Sequence, residues 1–425
     1  MQRHIYFDYA ASTPVAPDVL RAMEPYFLEK FGNPGSLHSF GQEAIAAVDK
    51  SRETIARALG RPPDGGFREI IFTGSATEAN NLALRGAIKG YGSKIKNPRI
   101  IVSSIEHESI LETAIDLERD GVEVIYLPVN NLGVVDLKKL KKSLNERTVL
   151  VSIMLANNVV GTIQPIVEIA KIIQEFRNKK EEKPKNKNST FYILHSRFYP
   201  LFHTDAAQAF QFLDCNVNEL GVDMLTISGQ KIYGPKGTAA LYVRANRVQG
   251  SGSRVIKSLN PSGYTLVPII TGGGQEFGLR SGTENVPAIV GFAEAVRLIA
   301  KNREKEGERI AKLRDYFWTE LKKIYPRAEL NGSEKDSERL PHILNVYFPG
   351  YQAEDFLTKL DLAGVAASAG SACRARVVGA SYVIDAMGFP ARAKSSIRFS
   401  FGRPTRKEDI DTALKIMKII FRKNT

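Results

Sequence analysis

The sequence predicts an α/β protein: a large unit with a mainly parallel sheet flanked by helices, then a smaller α+β C-terminal unit. Three observations carry this. Short β-rich runs alternate with helical stretches from about residue 68 to 245, several of those runs are unbroken apolar segments, and the alternation stops after about residue 285. Strands alternating with helices imply βαβ units. Unbroken apolar runs imply parallel strands covered on both faces. A chain of 425 residues is also too long for one minimal core.

In chain order, the predicted strands are Glu69–Thr73, Ile100–Ser103, Val122–Leu127, Thr148–Leu155, Leu201–Thr204, Met224–Ser228 and Ala239–Val243. Helix-like segments lie between them at Thr77–Lys89, Glu108–Arg119, Leu137–Leu144 and Ile166–Arg177. A long helix from Pro287 to about Tyr325 opens the second unit. It is followed by strands near His342–Phe348 and Ser396–Phe401 and by a closing amphipathic helix with Ile416, Ile419 and Ile420 among its apolar positions. Lys179–Phe191 and the Gly/Ser-rich Val248–Tyr264 read as surface insertions. In open parallel sheets ligands bind beyond the carboxyl ends of the strands, so the residues after each strand are where chemistry is expected.

Composition narrows the function. Hydrophobic residues at 43% and charged residues at 25% suit a globular enzyme and exclude disorder. The only cysteines, Cys215 and Cys373, rule out a disulfide scaffold and a four-cysteine zinc site, and fit a reducing compartment. The six histidines are scattered, without an H-x-x-x-H pair, so no metal site is expected. The N-terminus lacks an apolar leader and no run approaches the ~18 apolar residues of a spanning helix; a cytoplasmic protein is the expectation. The net charge of +13 is spread along the chain, with a cluster from Arg177 to Ser189 that glutamates and Pro184 interrupt. A solvated surface is the simpler reading of it than nucleic acid.

The strand-end motifs are more specific. T-G-S-A-T-E-A-N-N (Thr73 to Asn81) opens a helix, with Ser75 and Glu78 in capping-box spacing. Its first-turn N–H groups and the Ser75 and Thr77 hydroxyls form an anion cradle, or cap the helix and nothing more. His107, in I-E-H-E-S, follows the next strand, where an imidazole can stack on a ligand or move protons. Asn157 and Asn158 end another strand and either face a ligand or make a turn. In H-T-D-A-A-Q, Asp205 could fix a cationic heterocycle with Gln208 donating nearby; a helix-capping aspartate is the alternative.

S-G-Q-K-I-Y-G-P-K-G (Ser228 to Gly237) is the most informative segment. A lysine directly after an apolar strand, hemmed by glycines, is poorly explained as a solvent-facing charge and suits a Schiff-base amine; Lys231 is nearer the strand end than Lys236. The glycines would let a ligand approach the backbone. A-S-A-G-S-A-C-R-A-R sets Cys373 among small residues with Arg374 and Arg376, which favour the thiolate. Cys215 reads as a semi-buried structural residue. Arg398 sits mid-strand among apolar neighbours and wants a carboxylate, from a substrate or from the protein.

In order and spacing these motifs resemble cysteine desulfurases of the NifS/IscS type, in the class V aminotransferase family of pyridoxal-phosphate enzymes (fold type I). The resemblance runs from F-D-Y-A-A-S-T-P (Phe7 to Pro14) through F-G-N-P (Phe31 to Pro34) to the Arg398 strand. It implies a pyridoxal-phosphate-binding domain at residues 15–290 and a small domain, 1–14 with 291–425, carrying a mobile cysteine loop. It further implies that Lys231 carries the cofactor and moves the substrate Cα proton, that Asp205 pairs with the ring nitrogen, and that His107 stacks on the ring and assists proton transfer at the substrate thiol. Gln208 and Asn158 would hydrogen-bond around the phenolic oxygen and the substrate, and Arg398 would hold the substrate carboxylate. Thr77, Ser228 and Gln230 would hold the phosphate, with Thr283 of R-S-G-T reaching across a homodimer. Cys373 would take the sulfur of L-cysteine as a persulfide, releasing alanine, for a scaffold protein of iron-sulfur cluster assembly or a tRNA-thiolation enzyme; no membrane or direct nucleic-acid partner is implied.

Two positions depart from the pattern: Gln230 stands where the family has histidine, and N-N-V-V-G places Val159 where it has glutamate. The nearest enzymatic alternative is a selenocysteine lyase or related β-eliminating enzyme. The departures motivate another, a low-activity sulfur-relay or scaffold protein.

Overall fold

The computed structural model describes residues 4–62, 66–181, 199–245, 266–370 and 380–422. Twelve strands occur among them: β1 (Ile5–Tyr6), β2 (Ile70–Thr73), β3 (Arg99–Ser103), β4 (Glu123–Leu127), β5 (Thr148–Ser152), β6 (Leu201–Asp205), β7 (Met224–Ser228), β8 (Ala239–Val243), β9 (Glu329–Asn331), β10 (Ile343–Tyr347), β11 (Val365–Ala366) and β12 (Ser396–Ser400). Seven form the large sheet, in the order β2-β8-β7-β6-β5-β3-β4. Only β8 runs against the others, so the sheet is mainly parallel, as the apolar runs predict.

Alternate residues of these strands enter different cores, as the two-residue period of a pleated strand requires. Ile70, Phe72, Ile101, Phe202 and Leu225 pack with Val48 and Ile55 of helix Ser39–Ala58 and with Ile169 and Ile173 of helix Ile166–Glu181. Ile71, Ile100, Val102, Leu201 and Met224 pack instead with Leu82 of helix Ala76–Gly90 and with Ile110 and Leu117 of helix Glu108–Arg119. A buried polar row links three strands: His203 of β6 bonds Ser152 of β5 at 2.8 Å and Thr226 of β7 at 3.0 Å. Burial holds that imidazole neutral, its pKa pushed down to about 4.

The 39-residue helix Val286–Ile324 runs between two cores. Its Phe292, Val296 and Ile299 join the first core above; Ile310, Phe317 and Leu321 join another with Leu344 and Val346 of β10, Ile397 and Phe399 of β12, and Ile5 and Phe7. There β9, β10 and β12 form an antiparallel sheet and β1 pairs with β11. The closing helix, Lys407–Arg422, buries Ile410, Ala413, Leu414, Met417 and Phe421. The apolar face is therefore offset from the predicted one: Ile416 and Ile420 pack at its margin, while Ile419 is 55% exposed. The insertion Val248–Tyr264 and most of Lys179–Phe191 lie outside the described residues.

Candidate active site

The carboxyl ends of five parallel strands deliver side chains to one cavity. After β2 come Ser75, Ala76 and Thr77; after β3, His107; after β5, Met154, Ala156 and Asn158; Asp205 ends β6; and Ser228 ends β7, followed by Gln230 and Lys231. Ala207, Gln208, Arg398, Ala10 and Ala11 complete the lining. Nine of the sequence-predicted residues thus meet: Thr77, His107, Asn158, Asp205, Gln208, Ser228, Gln230, Lys231 and Arg398. Thr283 is exposed and does not line this cavity, and Cys373 lies outside the described residues.

Lys231 is aimed by the N-terminal segment. Its Nζ donates to the carbonyls of Ala10 at 2.8 Å and Ala11 at 2.6 Å. The Ala10 carbonyl also accepts from Gln208 Nε2 at 2.6 Å, and the Thr13 hydroxyl donates to the Gln230 carbonyl at 3.0 Å. Two residues past the lysine, Tyr233 holds φ at +65°, costly for a residue with a side chain. Its environment enforces that turn: its N–H donates to Thr13 Oγ1, its hydroxyl accepts from the Arg403 N–H, and the Arg403 guanidinium lies 4.2 Å from its ring centre. Two of the glycines here, Gly229 and Gly234, are needed by the loop itself. A Cβ on Gly229 would stand 2.8 Å from the Pro235 carbonyl, and Gly234 donates its N–H to the Gly229 carbonyl.

Asp205, 6% exposed, accepts from Asn80 Nδ2 at 2.7 Å and from the Ala207 N–H at 2.9 Å. Among the described residues no cationic side chain pairs with it within 4 Å. A buried carboxylate holding only neutral donors is short of a counter-charge, and a pyridinium N–H supplies one. The donor set above it suits a phosphate: the Thr77 and Ser228 hydroxyls, the Gln230 amide, and the first turn of helix Ala76–Gly90, whose N–H groups have no acceptor within the helix. Ser75 caps that helix as predicted, accepting the Glu78 N–H at 3.1 Å, although Glu78 reaches back to Gly74 rather than Ser75 and pairs with Arg280.

The two asparagines divide the two roles the sequence left open. Asn157 makes the turn, its Oδ1 accepting the Val159 and Val160 N–H groups; Asn158 lines the cavity with its Oδ1 buried and without a hydrogen-bond partner. Val159 is fully buried and packs with Ile105, Val383 and Ile384. Arg398, 1% exposed, pairs with Asp8 at 2.7 Å and donates to the Asn158 carbonyl at 2.7 Å, leaving Nε unpartnered. It therefore already has a protein carboxylate, on one edge of its fork only. Cys215 is fully buried rather than semi-buried, and its thiol is pushed up to about 12, so it is inert.

The sequence reading missed Asp8, the Ala10 and Ala11 carbonyls, Glu106, Asn80 and Ser109. The spacing of Asn80, three residues after Thr77 on one helix face, was the available signal.

The aminotransferase class-V family model matches residues 5–179 and 191–413. A cysteine desulfurase IscS of Dictyoglomus turgidum is 42% identical over all of this chain and 96% of its own length. A solved NifS-like protein superposes with a TM-score of 0.81 at 34% identity, covering 99% of both chains. Another from Rickettsia africae gives 0.79 at 32% identity, covering 99% of this chain and all of its own.

Proposed function

The chain belongs to the class V aminotransferase family, and on that premise we propose that it is a pyridoxal-phosphate-dependent cysteine desulfurase. It converts L-cysteine to L-alanine while the substrate sulfur passes to Cys373. The observation that carries this is the convergence of Lys231, Asp205 and His107, from behind three different parallel strands, on one cavity. Pyridoxal phosphate, when bound, supplies the electron sink that loosens bonds at the substrate Cα and Cβ.

Lys231 would anchor the cofactor and then move a proton at the substrate Cα, its amine aimed by the Ala10 and Ala11 carbonyls. Asp205 would hold the ring nitrogen protonated; Gln208 and Asn158 would hydrogen-bond the ring oxygen and the substrate. Thr77, Ser228 and Gln230 would bind the phosphate, and the exposed Thr283 of a second copy would add to them in a homodimer. Sedimentation at twice the monomer mass is the expected result for that assembly. Arg398 would hold the substrate carboxylate, with Asp8 fixing the far side of its guanidinium. The sulfur step balances: the Cβ–S bond breaks, an S–S bond forms at Cys373, and the carbon left behind takes a proton. The acceptor downstream would be a scaffold or tRNA-thiolation protein, and the +13 charge suits an acidic one.

The test is spectroscopic. Purified protein supplied with pyridoxal phosphate should be yellow, and Lys231→Ala should lose the visible band that the lysine linkage produces. A wild-type protein that stays colourless after incubation with the cofactor overturns the proposal.

A further inference from the structure

A chain of hydrogen bonds joins the two central polar groups of the cavity. Asn80 Nδ2 donates to Asp205 Oδ2 at 2.7 Å and to Ser109 Oγ at 2.8 Å, and Ser109 Oγ lies 2.9 Å from His107 Nδ1. The direction of each bond is forced. A carboxylate only accepts, so the Asn80 amide nitrogen faces it, and both hydrogens of that nitrogen are then committed. Ser109 Oγ accepts one of them, which turns its own hydrogen toward His107 Nδ1. The backbone N–H of Ser109 donates to the same Nδ1 at 3.1 Å, and a backbone N–H can do nothing else. Two donors therefore converge on the Nδ1 lone pair.

We propose that Asn80 and Ser109 are positioning residues that fix His107 as the neutral tautomer with its proton on Nε2. His107 lines the cavity, so it meets the contents as a hydrogen-bond donor. That donor favours a substrate thiolate over a thiol, and the ring cannot serve as the base that takes the thiol proton, because Nδ1 is closed and Nε2 is already protonated. This consequence rests on the function proposed above; the tautomer does not. It replaces the general proton-transfer role that the family resemblance implies for this histidine.

Burial of the ring acts in the same direction and outweighs the charges around it. Burial lowers its pKa; Asp205 from β6 opposes that, Lys231 from behind β7 adds to it, and Glu108 of its own helix opposes it. Glu106, the preceding residue, is neutral in the folded protein up to about pH 8.

Long-range nitrogen-15 correlation NMR of histidine-labelled, cofactor-loaded protein reads the tautomer without turnover, with His107 assigned by its loss in His107→Gln. Wild type should show a protonated Nε2 and a bare Nδ1, unchanged from neutral to mildly alkaline pH. Ser109→Ala removes one donor from Nδ1 and should raise the imidazole pKa, giving a doubly protonated fraction near neutrality. Ser109→Thr, which keeps the hydroxyl, should restore the wild-type spectrum. Asn80→Ala should admit the Nδ1–H form, because Ser109 Oγ is then able to accept. A wild-type ring protonated at Nδ1, or a Ser109→Ala titration identical to wild type, overturns the proposal. Absence of desulfurase activity alongside the expected spectrum would instead count against the function.

Discussion

Glu106 shows how much a single enclosed group sets. Its Oε1 accepts from the Ser103 hydroxyl at 2.5 Å and the Met154 N–H at 2.9 Å, while Oε2 is buried without a partner. Burial pushes its pKa up to about 8, and Asp205 adds to the rise. The unfolded chain releases this proton near 4.5, the folded protein only near 8, so the unfolded state binds fewer protons between those values. Stability must then fall as pH rises through that window. Glu106→Gln copies the neutral acid and removes the fall. Its melting temperature relative to wild type should climb from about pH 4.5 to about pH 8; a difference constant with pH would contradict this. At this scale the sequence shows side chains and hides backbone. Asp205, His107 and Lys231 were legible as chemistry-bearing residues after strands, whereas Ala10 and Ala11 act through carbonyls that every residue owns.

Among the elements, strands with β-branched or continuous apolar runs were legible to the residue: β7 and β8 match their predicted bounds, as does helix Glu108–Arg119. The two-residue β1 and β11 and the three-residue β9 are too short to show a period. Thr148–Leu155 was predicted as one strand and β5 ends at Ser152, although the Ile153 and Leu155 N–H groups still reach carbonyls of β6. The closing helix was found with its face misplaced, because a run such as K-I-M-K-I-I-F offers apolar residues all round. Thermal denaturation separates the two faces. Ile419→Lys should change stability by no more than about 0.5 kcal/mol. Met417→Ala, at a fully buried position, should cost about 2–5 kcal/mol. Comparable losses at both positions would place the face where the sequence put it.

For the whole molecule, the parallel sheet explains why residues from distant stretches meet: each βαβ crossover returns the chain in the same direction, so strand ends share one edge. The N-terminal segment then ties that edge to the smaller sheet. Ile5 and Tyr6 pair with β11, Asp8 holds Arg398 of β12, and Ala10 and Ala11 hold Lys231 behind β7. The family resemblance groups residues 1–14 with the small unit, but these contacts were not legible, since the segment carries no strong helix or strand pattern of its own. No helix among the described residues is long and apolar enough to cross a membrane. The central claim is that this cavity takes sulfur from L-cysteine and gives it to Cys373. The most direct measurement is alanine formed from L-cysteine by cofactor-loaded wild type, Lys231→Ala and Cys373→Ala. We expect steady alanine formation in wild type and none above background in Lys231→Ala. Cys373→Ala should keep its colour and lose alanine formation at least tenfold. Pyruvate as the main product of the wild type, or full alanine formation by Cys373→Ala, would contradict the account.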